Sequence, residues 1–176
     1  KDPGCSIIFN PVCQMILYCQ HSTPRLKYIL NYVFTERLGI PFEVTQSWDL
    51  FLEHPDSKIN YSHQSNQNLI TIIPEGLLFE SGIRNYKPSV DYINGIPVLF
   101  KNTDGTSFSF DIFSAIFYFI SRYEEYQAYE PDIHGRFSAK ESLAFKNGFL
   151  NQPVVDHWVL WLKKEISQQY PEQIFK

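Results

Sequence analysis

The chain has 176 residues, 44% of them hydrophobic and 16% aromatic, with 15 Lys and Arg against 19 Asp and Glu for a formal net charge of −4. That length suits one domain with a self-supporting core, and a mildly acidic balance without runs of like charge speaks against nucleic acid as a partner. No apolar run reaches the roughly 20 residues that cross a bilayer, the N-terminus lacks the order of a secretory signal, and Cys5, Cys13 and Cys19 match no zinc or redox spacing, so the expectation is a cytoplasmic protein that engages no membrane.

Residues 1–14 precede the chain's only methionine, Met15, and read either as a non-native extension or as a native one whose Ile7, Ile8 and Phe9 add an edge strand. From Met15 onward the chain reads as a single α/β domain, 15–176. MILYCQ predicts a first strand, ending in His21-Ser22-Thr23-Pro24, where Ser22 or Thr23 can cap a helix and Pro24 fits its first turn. Leu26, Ile29, Leu30, Val33, Phe34 and Leu38 then recur at three and four, which predicts an amphipathic helix closed by Gly39. Ile40 to Thr45 reads as a second strand, and Ser47 caps a short helix, WDLFLEH, that His54-Pro55-Asp56 breaks.

Lys58–Ser62 predicts a strand suited to a sheet edge, and Leu69–Ile73 a buried one, with the polar loop His63–Asn68 between them. Residues 81–96, with glycines and Pro88, predict an irregular surface connection, and Pro97–Lys101 a last short strand followed by the turn chemistry of Asn102-Thr103-Asp104-Gly105. A long apolar helix is expected from Phe110 or Asp111 to about Tyr126, roughly 25 Å at 1.5 Å per residue. A last helix from Pro153 carries Val155, Trp158, Leu162 and Ile166 on one stripe until Pro171. Strands alternating with helices predict an α/β fold, a mixed or largely parallel sheet flanked by helices.

The chemistry-bearing residues gather after the long helix: Arg122, Glu124 and Glu125, then Asp132, His134 and Arg136, with Asp156 opening the last helix. Carboxylates, an imidazole and guanidiniums at one helix end could form a general acid/base site, with Glu125, Asp132 and His134 as the catalytic candidates and Arg122 and Arg136 holding an anionic substrate. The same groups could equally brace the fold through helix dipoles and bidentate pairing. His134-Gly135-Arg136-Phe137 is the sharpest tetrapeptide, its glycine permitting an unusual backbone between two anion-holding groups. No spacing compels a metal, and dinucleotide, P-loop, zincin and esterase-elbow motifs are absent from the sequence, so no cofactor is expected.

MILYCQHSTPRLKYILNYVF, INYS, LLFESGI, FDIFSAIFYFISRYEEY, DIHGRF and PVVDHW together resemble a domain of unknown function that precedes polysaccharide deacetylase domains in Bacteroidetes-type bacteria. The resemblance runs from Met15 onward, with SRYEEY and HGRF its most specific blocks. Deacetylases of that type hold a metal with an aspartate and the histidines of an H-S/T-x-x-x-H motif, and His21, His54, His63, His134 and His157 never fall in that pattern. The resemblance therefore implies a non-catalytic accessory domain that packs on or orients a deacetylase barrel beyond Lys176, and that assists polysaccharide binding through exposed rings such as Tyr123, Tyr126 and Tyr129. The alternative is a stand-alone hydrolase-type enzyme using Arg122, Glu125, Asp132, His134 and Arg136.

Overall fold

The computed structural model describes residues 15–64, 66–102 and 108–175, so the expectations for residues 1–14 and for the turn at 103–105 fall outside the described residues. The fold is mixed α/β: a four-stranded parallel sheet and a separate two-stranded antiparallel one, with helices packed around them.

Strand β1 (Met15–Cys19) runs straight into helix α1 (Pro24–Leu30), where Thr23, not Ser22, is the cap, its Oγ1 accepting from Leu26 N at 3.1 Å. The helix continues as a π-helical stretch, Asn31–Leu38, and ends where Gly39 turns left-handed at φ 64° and its N–H returns to Phe34 O. All six apolar positions of the predicted stripe are buried. Strand β2 (Glu43–Thr45), helix α2 (Trp48–Glu53, capped by Ser47), strand β3 (Ser57–Tyr61) and strand β4 (Ile70–Ile72) follow.

The sheet order is β2-β1-β3-β4. The connection from β1 to β2 moves one way along the sheet and that from β2 to β3 moves back past β1, so right-handed crossovers put α1 and α2 on opposite faces. Residue alternation along β1 agrees with this. Met15, Leu17 and Cys19 enter the main core with α1, whereas Ile16 and Tyr18 pack on the other face with Trp48 and Phe51 of α2. β3, expected at an edge, is interior and pairs with both β1 and β4; β4 is buried as expected, although it pairs within the sheet with β3 alone. The polar Lys58 and Asn60 lie on the α2 face. There Asn60 is buried because the loop after β3 folds over it, Asn60 Nδ2 donating to Gln64 O at 2.6 Å.

The irregular connection expected over 81–96 contains a strand, β5 (Val90–Ile93), which forms an antiparallel hairpin with β6 (Ile96–Leu99). Its turn is Asn94-Gly95, with φ 51° and 79°, the double left-handed conformation that suits the twist of a two-residue hairpin. A Cβ at Gly95 would meet nothing within 4 Å, so Gly95→Ala isolates the backbone penalty. We expect a loss of about 1 kcal/mol, read as a lower urea midpoint at unchanged slope.

The long helix expected to reach Tyr126 stops early: α3 spans Ile112–Ile120. Ser121 Oγ donates back to Phe117 O at 2.6 Å, and Arg122 adopts a left-handed φ of 54°, which terminates the helix. The chain then makes a 3₁₀ turn, Tyr123–Tyr126. The reversal folds the Tyr123 ring onto Phe117 and Tyr118, centroids 6.2 and 5.6 Å away, where it is buried. A second 3₁₀ turn at Ala139–Glu141 and the short helix α4 (Leu143–Lys146) precede α5 (Val154–Gln169), which covers the sheet beside α3. Its inner stripe holds Val154, Trp158, Val159, Leu162 and Ile166, while Val155 is only partly buried.

Candidate functional site

In an open parallel sheet the place for a ligand is the crevice at the carboxyl ends of the strands where the order reverses. Here that is the gap between β1 and β3, bordered by His21 to Thr23 and by Tyr61. It is filled by the protein's own segment 74–84. Thr23 Oγ1 donates to Leu78 O at 2.5 Å, Arg25 Nη1 to Leu77 O at 2.9 Å, and Arg25 Nη2 to Gly82 O. The Arg25 guanidinium also lies over the Phe117 and Tyr123 rings, 5.3 and 5.8 Å from their centroids. Phe79 caps the gap, its ring 5.7 Å from that of Tyr61 and 6.3 Å from that of His21. Arg84 N closes the segment by donating to Tyr123 Oη at 3.2 Å.

Beneath that segment lies a buried polar knot. Asp111, the N-cap of α3, is 0% exposed; its Oδ2 accepts from Tyr61 Oη at 2.9 Å, Ser114 Oγ at 2.6 Å and Glu75 N at 2.9 Å, and its Oδ1 from Ser114 N at 3.1 Å. Burial raises the Asp111 carboxyl above its usual range, outweighing those four donors, and raises the Tyr61 phenol as well. The knot is sealed from solvent and ties β3, the 74–84 segment and α3 together. Cys19, also buried, has its thiol pushed up to about 11 by burial, which removes it as a nucleophile near neutral pH.

The polar cluster expected from the sequence does not assemble around one point. Arg122 Nη2 is 2.5 Å from Glu125 Oε1, a pair within one turn whose arginine is exposed and whose glutamate is partly buried. Asp132, Ile133, His134, Gly135 and Arg136 form a tight loop closed by a bridge between Pro131 and Phe137. Asp132 Oδ1 staples that loop by accepting from His134 N at 2.8 Å and Arg136 N at 2.9 Å, while its Oδ2 lies 3.5 Å from Arg136 Nη2. Gly135 supplies the φ of 76° that the loop requires. The His-Gly-Arg segment is therefore the tip of a tight loop, with His134 and Arg136 in solvent and Ile133, just before them, 95% exposed. Asp156 pairs elsewhere, with Arg37 of the π-helical stretch. Of the rings expected on the surface, Tyr126 is 68% exposed and Tyr129 half-buried, but Tyr123 is in the core and presents no stacking face. Among the described residues, no group of three or more His, Cys, Asp or Glu is placed to hold a metal ion.

What the 121–150 region does form is a groove. One recess of about 100 Å³ is walled by the rings of Tyr129 and Phe137 and carries Tyr118, Glu124 and Gln127. A second, of about 250 Å³, adjoins it across Tyr118, Glu124 and Phe137 and takes in Arg122, Glu125 and Leu150. Glu124 is central to both. Its Oε1 accepts from Leu143 N at 2.6 Å, and burial raises its carboxyl, partly offset by that hydrogen bond. Asp132, His134 and Arg136 stand outside both recesses. The sequence points to Glu125 rather than Glu124; after the left-handed turn at Arg122, Glu124 lines both recesses and Glu125 the second alone.

A family model matches residues 15–171, nearly the whole described chain. The chain belongs to DUF7033, a family of unknown function. No curated protein and no solved structure matches the chain. The span of the DUF7033 match begins at Met15, the first residue of β1, and takes in the plugged crevice, the Asp111 knot and the groove. Among the described residues, no helix of this DUF7033 domain is long and apolar enough to cross a membrane.

Proposed function

We propose that this DUF7033 domain is a non-catalytic accessory domain of a cytoplasmic polysaccharide deacetylase-like protein, packing on or orienting a downstream deacetylase domain of the same chain and assisting its hold on glycan. The observation that carries this reading is the filled crevice. The position where an open parallel sheet takes a substrate is occupied by residues 74–84, pinned by Thr23, Arg25 and Tyr123. The local pairing of the charged groups supports it. Glu125 is spent on Arg122, and Asp132 on its own loop, so the carboxylates best suited to base catalysis are engaged in holding backbone and neighbours.

The test uses the full-length protein and the triple variant Glu125→Gln/Asp132→Asn/His134→Ala. Deacetylation of an acetylated glucosamine oligomer is expected to stay within about twofold of the parent rate, because these groups hold the accessory domain and not the reacting carbonyl. General acid/base groups contribute at least ~100-fold, so a loss of that size in a folded variant would favour the stand-alone hydrolase reading and end this one. A full-length parent with no deacetylase activity would end it too.

A further inference from the structure

The groove at Glu124 has the composition of a binding site for one kind of small molecule. Its charges cancel: Lys87 and Lys146 stand against Glu124 and Glu141 in the tighter recess, with Lys146 Nζ 2.9 Å from Glu141 Oε2, and the adjoining recess adds the closed Arg122–Glu125 pair. A site with no net field favours neither an anion nor a cation. Its polar groups are nonetheless incompletely used. Gln127 Oε1 accepts from Tyr86 N at 2.8 Å, which fixes the amide orientation and leaves the buried Nε2 as a donor that makes no close hydrogen bond among the described residues and interacts with the Tyr118 hydroxyl. Glu124 commits one carboxylate oxygen to Leu143 N and keeps the other as an acceptor. The Tyr118 hydroxyl makes a long 3.4 Å bond to Tyr86 O beside that interaction with the Gln127 amide.

One donor, one acceptor and a hydroxyl that can serve as either are the complement of a molecule rich in neutral hydroxyl groups. The walls add an apolar component. Tyr129 and Phe137 meet edge to face, with centroids 5.1 Å apart, so one ring offers a face while the other braces it. A neutral ligand with several hydroxyls and one flat apolar C–H face is a sugar ring.

We propose that the groove between Glu124, Gln127 and the Tyr129–Phe137 ring pair binds a neutral saccharide unit, its hydroxyls bonded to Glu124 and Gln127 and its apolar face against an aromatic ring. The proposal names a ligand class and a site for the accessory reading above, and it rests on that reading for its role. It differs from the expectation from sequence in its residues: Glu124, Gln127 and Phe137 stand in place of Arg122, Arg136, Tyr123 and Tyr126.

The experiment is ¹⁹F NMR on the full chain labelled with 3-fluorotyrosine, with the Tyr129 resonance assigned by its loss in Tyr129→Phe. Four probes are titrated: a β-1,4-linked N-acetylglucosamine tetramer, cellotetraose, inorganic phosphate and a neutral amide tripeptide. A saccharide is expected to shift the Tyr129 signal saturably, and Phe137→Ala and Gln127→Leu are each expected to weaken that binding about tenfold under conditions where far-UV circular dichroism shows each variant folded. A Tyr129 signal moved by phosphate or by the tripeptide, and by neither saccharide, would overturn the assignment, as would saccharide binding indifferent to both variants. If neither saccharide moves the signal while the triple variant keeps its deacetylase rate, the ligand class falls and the accessory reading stands. If the triple variant loses that rate while saccharide still shifts Tyr129, the site stands and its accessory role falls.

Discussion

Asp111→Ala is expected to remove about 3–5 kcal/mol of folding stability, a large share of the 5–15 kcal/mol typical of a domain. The substitution strips the acceptor from Tyr61 Oη, Ser114 Oγ and Glu75 N at once, each buried or partly buried, and removes the N-cap of α3. Those losses share one carboxylate and will not add. Tyr61→Phe alone should cost far less, roughly 1 kcal/mol, because it removes one donor and leaves the carboxylate three others. Urea unfolding of the two single variants and the double variant checks this, and additive effects would show that Asp111 and Tyr61 do not act as a unit.

The pH dependence of the same group has a definite sign. Burial raises the Asp111 carboxyl in the folded state, so the folded protein holds a proton that the unfolded chain releases near pH 3.9. Below that pH the group's contribution is fully present. As pH rises from there through the raised folded value, the unfolded state binds fewer protons than the native one and the contribution is lost. Glu124, also raised by burial, adds a slope of the same sign. The difference between the parent and Asp111→Asn isolates Asp111, since Asn does not titrate. That difference should narrow as pH rises from about 3 toward 7; a constant or widening gap would contradict the role assigned to burial.

The segments that were legible in the sequence are those whose signal is local. The stripe from Leu26 to Leu38, the cap before Pro24 and the glycine after Leu38 all act within a few residues, and α1 with its π-helical extension obeys them. The hairpin carried its own signal in Asn94-Gly95, yet Pro97 within the second strand and the weak alternation around Tyr92 masked it. The end of α3 was not legible. Nothing in FYFISRYEEY marks Arg122 as left-handed, and the conformation becomes favourable only because Tyr123 finds Phe117, Tyr118 and the backbone of Arg84 to pack against.

The groove was hidden for the same reason. Lys87, Phe137 and Lys146 meet Glu124 through tertiary packing, and Gln127 joins it from the 3₁₀ turn that follows the reversal at Arg122. Charge adjacency along the chain, by contrast, overstated how closely the ionic groups would gather. Asp156 finds its partner in Arg37, 119 residues away, while Asp132 is consumed by the loop that contains it.

The second large effect belongs to Trp158, the largest wholly buried side chain, and it measures how firmly the β5–β6 hairpin is held to the rest of the domain. Its ring packs 6.0 Å from Phe110 and 5.8 Å from Phe119, and its Nε1 donates at 2.9 Å to the carbonyl of Pro97 in β6. Trp158→Ala leaves a cavity among aromatic rings and an unpaired buried carbonyl, which together are worth about 3–5 kcal/mol. Trp158→Phe retains most of the apolar contact and should cost about 1–2 kcal/mol, the share of the lost hydrogen bond and the unfilled volume. Trp161, half-buried against Phe108 and Phe110, bonds its Nε1 to Glu165 on its own helix and, among the described residues, its Nε1 bonds no other element, so Trp161→Ala should fall well short of Trp158→Ala. Urea unfolding followed by far-UV circular dichroism ranks the three. Amide exchange then separates packing from tethering: in Trp158→Phe the amides of residues 90–99 should lose protection out of proportion to the global loss, because the Pro97 bond is what joins the hairpin to α5. If those amides lose no more protection than α5 itself, the hairpin is held by its apolar contacts alone.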